Sequence, residues 1–172
     1  MKCRIRRETA GDAGAVFEVV RSAFEHALPS DHDEHHLVER LRKSSAFVPE
    51  LSLVAESDGR IAGHILFTEI RIADTTQLAL APLSVVPSLQ RMGIGGQLIR
   101  EGHCIARDMG YTFSVVLGHP GYYPRFGYRP ASAFGIRAPF EVPDEVYMAL
   151  NLQGTDGKLD GVAIYPPEFG IN

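Results

Sequence analysis

Residues 83–96, Leu-Ser-Val-Val-Pro-Ser-Leu-Gln-Arg-Met-Gly-Ile-Gly-Gly, carry the densest chemical signal in the chain. A β-branched run stops at Pro87, a polar turn follows, and Gly93, Gly95 and Gly96 open a helical pattern. The first amides of a helix lack intrahelical partners, and the macrodipole puts partial positive charge there. Glycines let that backbone approach a bulky ligand and accept positive φ. A strand, glycine-rich turn and helix in this order suit a phosphate or pyrophosphate. Two common nucleotide loops fail on spacing. No lysine follows the glycines as G-x-x-x-x-G-K-[ST] requires, and the third glycine of G-x-G-x-x-G is replaced by Leu98.

The segment Gln90-x-x-Gly93-x-Gly95 resembles the Q/R-x-x-G-x-G/A signature of the GNAT superfamily of N-acetyltransferases. Upstream, Leu83-Ser84-Val85-x-Pro87 is similar to that family's fourth strand. Downstream, Tyr122-Tyr123-Pro124-Arg125-Phe126-Gly127-Tyr128 resembles its Y-x-[RK]-x-G-[FY] segment. Together the motifs cover residues 78–130. Leu117-Gly118-x-Pro120-x-Tyr122-Tyr123 and Tyr165-Pro166-Pro167-Glu168-Phe169 resemble a bacterial subgroup, the YhbS-like acetyltransferases.

The resemblance implies an α/β fold with a mixed, V-splayed β-sheet flanked by helices. It implies acetyl-coenzyme A as acyl donor, with Gln90, Arg91, Met92, Gly93, Ile94, Gly95 and Gly96 around the pyrophosphate. Leu83, Ser84 and Val85 would lie along the pantetheine arm and thioester. The reaction implied is direct attack of a primary amine on the thioester, without a metal. Tyr123 is the expected general acid, because it occupies the family's tyrosine position. The leaving thiolate has a reference pKa of about 8.5, and a tyrosine of pKa about 10 stays protonated to meet it. Tyr122 would point elsewhere if the segment is helical, and Arg125, Phe126, Gly127 and Tyr128 are expected to be structural.

The base is less defined. Deprotonating a lysine-like amine at pH 7 costs about 4.6 kcal/mol, an α-amine only about 1. His119, at the end of the fifth strand, is a candidate for catalysis or acceptor binding, since histidine is the residue type suited to proton exchange at neutral pH. Glu69 is a second candidate. A non-catalytic acyl-coenzyme A sensor or partner-binding module with the same fold is the alternative. The acceptor, a small or peptide amine, and a monomeric or homodimeric state are left open.

The run Asp31-His32-Asp33-Glu34-His35-His36 invites a metal, with His32 and His36 on one helical face. The H-E-x-x-H order is absent and no distant third ligand stands out, so no metal is expected. Carboxylates in the first turn of a helix account for the acids. Acceptor contact is the other reading, because the related fold builds part of its acceptor pocket there.

Composition agrees with one globular domain over residues 1–172, with 45% apolar and 22% charged residues. A net charge of −4 argues against a nucleic-acid surface. Cys3 and Cys104 are far apart with no redox or metal spacing, which reads as reduced thiols in a cytoplasmic chain. No signal segment or membrane-spanning run is present in the sequence.

The elements that must position these residues follow from periodicity. Residues 2–7 alternate as a strand, and Thr9 caps a helix whose apolar residues recur from Val16 to Ala27. Leu37, Val38 and Leu41 mark a second helix. Leu51–Glu56 and Ile61–Ile72 flank the hairpin signal Asp58-Gly59, and residues 77–86 form the next strand. Leu98, Ile99, Gly102, Ile105, Ala106 and Met109 trace one face of a helix that Gly110 ends. Thr112–Leu117 is a strand covered on both faces. Two more strands are expected near 145–152 and 161–165.

Overall fold

The computed structural model describes residues 2–171. In chain order its first elements are β1 (Arg4–Arg7), α1 (Ala13–Phe24), α2 (Glu34–Arg42), β2 (Phe47–Ser57), β3 (Arg60–Ile72) and β4 (Thr75–Val85). Then come α3 (Ile94–Asp108), β5 (Phe113–Leu117), β6 (Arg129–Pro130), β7 (Ile136–Arg137), β8 (Tyr147–Asn151) and β9 (Gly161–Val162). Asp58 and Gly59 both take positive φ, 51° and 73°, the left-handed pair that matches the twist of hairpin strands. Ala73 and Asp74 do the same between β3 and β4, at 50° and 61°, without a glycine. The turn is therefore recognisable in sequence only through Asp74.

One sheet runs in the order β1-β2-β3-β4-β5-β8-β6, and β7 pairs with β9 separately. Only the β4–β5 pairing is parallel within the large sheet, so the sheet is mixed. Helices cover both faces. Val16, Val20, Val38 and Leu41 from α1 and α2 bury against Val54 and Leu66. Ile94, Leu98 and Ile99 from α3 bury against Leu53, Ile65 and Phe67 on the opposite face. Alternate residues of β3 thus serve opposite layers, as strand geometry requires.

Two irregularities of β4 prepare the site. Ile65 pairs with Leu83 and Phe67 with Leu80, so Ala81 and Pro82 together oppose Leu66. Pro82 has no N–H to give the ladder, and the extra residue is taken up as a bulge there. The bulge swaps the parity of the strand: Leu78 and Leu80 before it, and Leu83 and Val85 after it, all join the α3-side cluster. Furthermore, β4 meets β5 only at Leu78–Ser114 and Ala79–Val115. Beyond those pairs the two strands separate, and β4 runs on to Val85 paired only with β3. This is the expected splay.

The ends of several elements differ from expectation. The first helix stops at Phe24, before the expected residue 27, and a turn at residues 10–12 precedes it. There the Asp12 carboxylate accepts from the Thr9 N–H at 2.8 Å and from Arg6 Nη1 at 2.7 Å, tying β1 to α1. Ile105 is only partly buried and Met109 is 44% exposed, so the apolar face of α3 is narrower at its end. In the last third, β8 falls within 145–152. The 161–165 strand shrinks to Gly161–Val162 plus an isolated bridge from Ile164 to Arg71. The short strands β6 and β7 were not anticipated, since two-residue strands leave no periodic pattern.

Candidate active site

Where β4 leaves β5, a cleft of about 730 Å³ opens and ends on the loop before α3. Gly93 is the N-cap of α3 at φ 85°, a conformation side chains resist, and it has no side chain with which to cap. The first intrahelical bond is donated by the Gln97 N–H to Gly93 O at 3.2 Å. The N–H groups of Ile94, Gly95 and Gly96 therefore have no acceptor within the helix. Gln90 Nε2 donates to Val85 O at 3.1 Å and ties the loop back to the strand. The result is a helix start whose amides and dipole face an open groove, suited to an anion.

Of the residues expected at the donor site, Leu83, Val85, Gln90, Arg91, Gly93, Ile94, Gly95 and Gly96 form the cleft wall. Ser84 and Met92 do not. Ser84 alternates to the opposite face beside His64 and is 1% exposed, whereas Met92 points outward, 45% exposed. Burial leaves the Ser84 hydroxyl without a protein partner.

The tyrosine pair divides differently from expectation. Tyr122 lines the cleft, so the expectation that it points elsewhere is corrected. A Cβ on Gly95 would fall 2.7 Å from Tyr122 Oη, so the phenol reaches across to the helix start. Tyr123 is half-buried behind it, ring centroids 5.1 Å apart and nearly perpendicular. Its ring covers Gly118 at the exit of β5, where a Cβ would come within 2.3 Å of a ring carbon. Burial pushes the Tyr123 phenol well above the usual tyrosine range, so it is protonated at neutral pH.

His119 is exposed and accepts the Gly121 N–H on Nδ1 at 2.9 Å. It supports the turn that carries the tyrosines and is not in the cleft wall. Glu69 accepts from Tyr111 Oη on a more distant part of β3 and does not line the cleft. In the histidine run, the rings of His35 and His36 pack on Phe17, and His32 Nδ1 lies 2.7 Å from Phe24 O. Among the described residues, no three His, Cys, Asp or Glu converge as metal ligands.

Three features were missed. Arg125 and Phe126, expected to be structural, stand in the cleft wall with Arg100 of α3. The guanidinium of Arg100 lies over the Phe126 ring at 5.2 Å, and that of Arg125 over Tyr122 at 5.6 Å. Lastly, Tyr128 is fully buried, its hydroxyl 2.8 Å from Ser114 Oγ and 2.9 Å from His103 Nε2. His103 sits among Ile99, Gly102 and Ala106 on the buried face of α3, which was the signal available in sequence.

The family model for an acetyltransferase (GNAT) domain matches residues 4–131, which spans the splayed strands, the loop, α3 and the tyrosine turn. The chain belongs to the GNAT family of acetyltransferases. Among relatives, YjhQ of Escherichia coli, an uncharacterized N-acetyltransferase, is 40% identical over 78% of this chain and 74% of its own length. A GNAT acetyltransferase from Brucella melitensis, solved with acetyl-coenzyme A, superposes at a TM-score of 0.82 with 34% identity and covers 98% of both chains. YhbS of Escherichia coli, solved with coenzyme A, superposes at 0.88 with 27% identity over 99% of this chain and 93% of that one. No helix among the described residues of this GNAT chain is long and apolar enough to cross a membrane.

Proposed function

We propose that this GNAT domain is an acetyl-coenzyme A-dependent N-acetyltransferase that transfers acetyl to a primary amine by direct attack on the thioester. The observation that carries the reading is the cleft between β4 and β5 ending on the uncapped start of α3. The amides of Ile94, Gly95 and Gly96 receive the pyrophosphate, and the Leu83–Val85 stretch lies along the thioester arm. Strand backbone freed by the splay hydrogen-bonds the arm, a contact worth about 2.7–4 kcal/mol where it meets a developing oxyanion. Tyr123 protonates the departing thiolate, supported by its motif position and by its packing edge-on against the cleft-lining Tyr122. Tyr122 forms the wall. The acceptor enters from loops near residues 28–36 and 129–145. We assign the chain to a reducing, cytoplasmic setting, on the strength of its two free cysteines.

Thermal unfolding tests the donor reading. At a hundredfold excess over Kd, acetyl-coenzyme A adds about 2.7 kcal/mol, or about 5–11 °C in Tm for a domain of this size. A mononucleotide control is expected to give no shift, and absence of any shift at millimolar coenzyme would end the reading. For the acid, free thiol release over a panel of amines separates the tyrosines. Tyr123→Phe is expected to lower kcat about a hundredfold or more while donor Kd holds. Tyr122→Phe is expected to alter Kd instead, and the reverse pattern would move the acid to Tyr122.

A further inference from the structure

The donor cleft does not end at the loop. A second cavity of about 360 Å³ adjoins it, sharing Arg100, Arg125 and Phe126 and adding His103, Cys104 and Arg107. No carboxylate lines either cavity. Three other cavities of this chain, whose net charge is −4, each have a carboxylate in the wall: Asp144, Glu8 and Glu69. Among the described residues, Arg100 and Arg125 have no acidic partner.

Both guanidiniums are nevertheless held. Each lies over an aromatic face, Arg100 on Phe126 and Arg125 on Tyr122. Arg125 Nε donates to Gly121 O at 3.2 Å, which orients the plane and leaves its terminal nitrogens free of that bond. A Cβ on Gly96 would lie 3.1 Å from Arg100 Nη1, so that guanidinium overhangs the first turn of α3. Planar cations fixed on rings lose little freedom on meeting an anion, and their forks fit phosphate oxygens.

We propose that Arg100 and Arg125 bind the 3′-phosphate of the donor's adenosine, outside the pyrophosphate loop, and make the protein discriminate coenzyme A from dephospho-coenzyme A. The inference rests on the donor reading above. Coenzyme A carries a pyrophosphate and, separately, a phosphomonoester on its ribose. A monoester has a second pKa of about 6 and is close to doubly charged at pH 7. The helix start offers only about half a positive charge, which the pyrophosphate already occupies. The second phosphate needs cations within reach of the same groove, and these two arginines border both cavities.

The test is the Kd of coenzyme A and of dephospho-coenzyme A, by calorimetry, for wild type, Arg100→Gln, Arg125→Gln and the double variant. Unliganded melting curves confirm folding, which two exposed positions are expected to preserve. Wild type should prefer coenzyme A by about tenfold to a hundredfold, the worth of one or two charge-assisted bonds. The double variant should lose that preference to within about threefold while its affinity for dephospho-coenzyme A is unchanged. A wild type without preference overturns the proposal while leaving the donor site intact. Equal loss for both ligands also overturns it, because the arginines would then serve the pyrophosphate. Wild type that binds neither compound removes the donor reading itself and this inference with it.

Discussion

At the scale of single residues, the small side chains of this protein are set by what lies against them. Gly102 faces Phe67, and a Cβ there would sit 2.3 Å from a ring carbon of a fully buried phenylalanine. Gly102→Ala sets a helix-propensity gain of about 1 kcal/mol against an overpacking cost of about 1–3 kcal/mol. The steric term is expected to win, because the ring is enclosed by the α3-side core and cannot swing out. A fall in Tm of a few degrees is the expected reading, and a rise would show that the core yields. Gly118 obeys the same logic toward Tyr123, which links that glycine to the proposed acid rather than to the fold alone.

At the scale of elements, the start of α3 joins conformation to binding. A Cβ on Gly93 would meet nothing within 4 Å, so the protein itself leaves room. The constraint is φ 85°, where an L side chain costs about 1–2 kcal/mol and asparagine costs least. Donor affinity is therefore expected to survive Gly93→Asn within a few-fold and to fall about tenfold or more in Gly93→Val. Equal losses would locate the effect in side-chain bulk meeting the ligand rather than in backbone strain. The bulge at Ala81 and Pro82 works at this scale too. It brings Leu83 and Val85 round to the cleft face, which strict alternation from Leu78 and Leu80 would deny them.

At the scale of the whole molecule, two histidines couple stability to pH. His64 is fully buried beside Ser52 Oγ, 3.0 Å away, and burial pushes its pKa down to about 4 against a partial pull from Glu8. Burial, with Arg107 nearby, pushes His103 down to about 4 as well. Between pH 6.5 and 4 the unfolded chain binds protons that these folded imidazoles refuse, so stability falls as pH falls. From pH 7 to 5 the two together are expected to remove about 3–4 kcal/mol, a large share of a typical total. Asp12, held well below the carboxylate range by Arg6, adds its loss only at more acidic pH, below about 4. Urea titrations at pH 7 and 5 measure the slope. His103→Gln keeps a donor for Tyr128 and should remove about half of it; an unchanged slope would assign the acid sensitivity elsewhere.

The sequence by itself determined whatever depends on neighbours along the chain. The Asp58-Gly59 turn, the strand–loop–helix of residues 83–96, the apolar face of α3 and the glycine that ends it were legible because turn chemistry and periodicity are local. Tertiary structure alone decided matters of register and approach between remote segments. The splay exists because β5 pairs with β4 over two residues only, and no local pattern encodes where a pairing stops. Which tyrosine lines the cleft depends on how the 119–127 turn seats against Gly95, which is distant in the chain from the Tyr122 ring it meets. Arg100 and Arg125 come together across one groove from two elements, and the Tyr128 hydroxyl meets both His103 of α3 and Ser114 of β5. Such meetings are set by packing between layers, which residue spacing along a single chain does not carry.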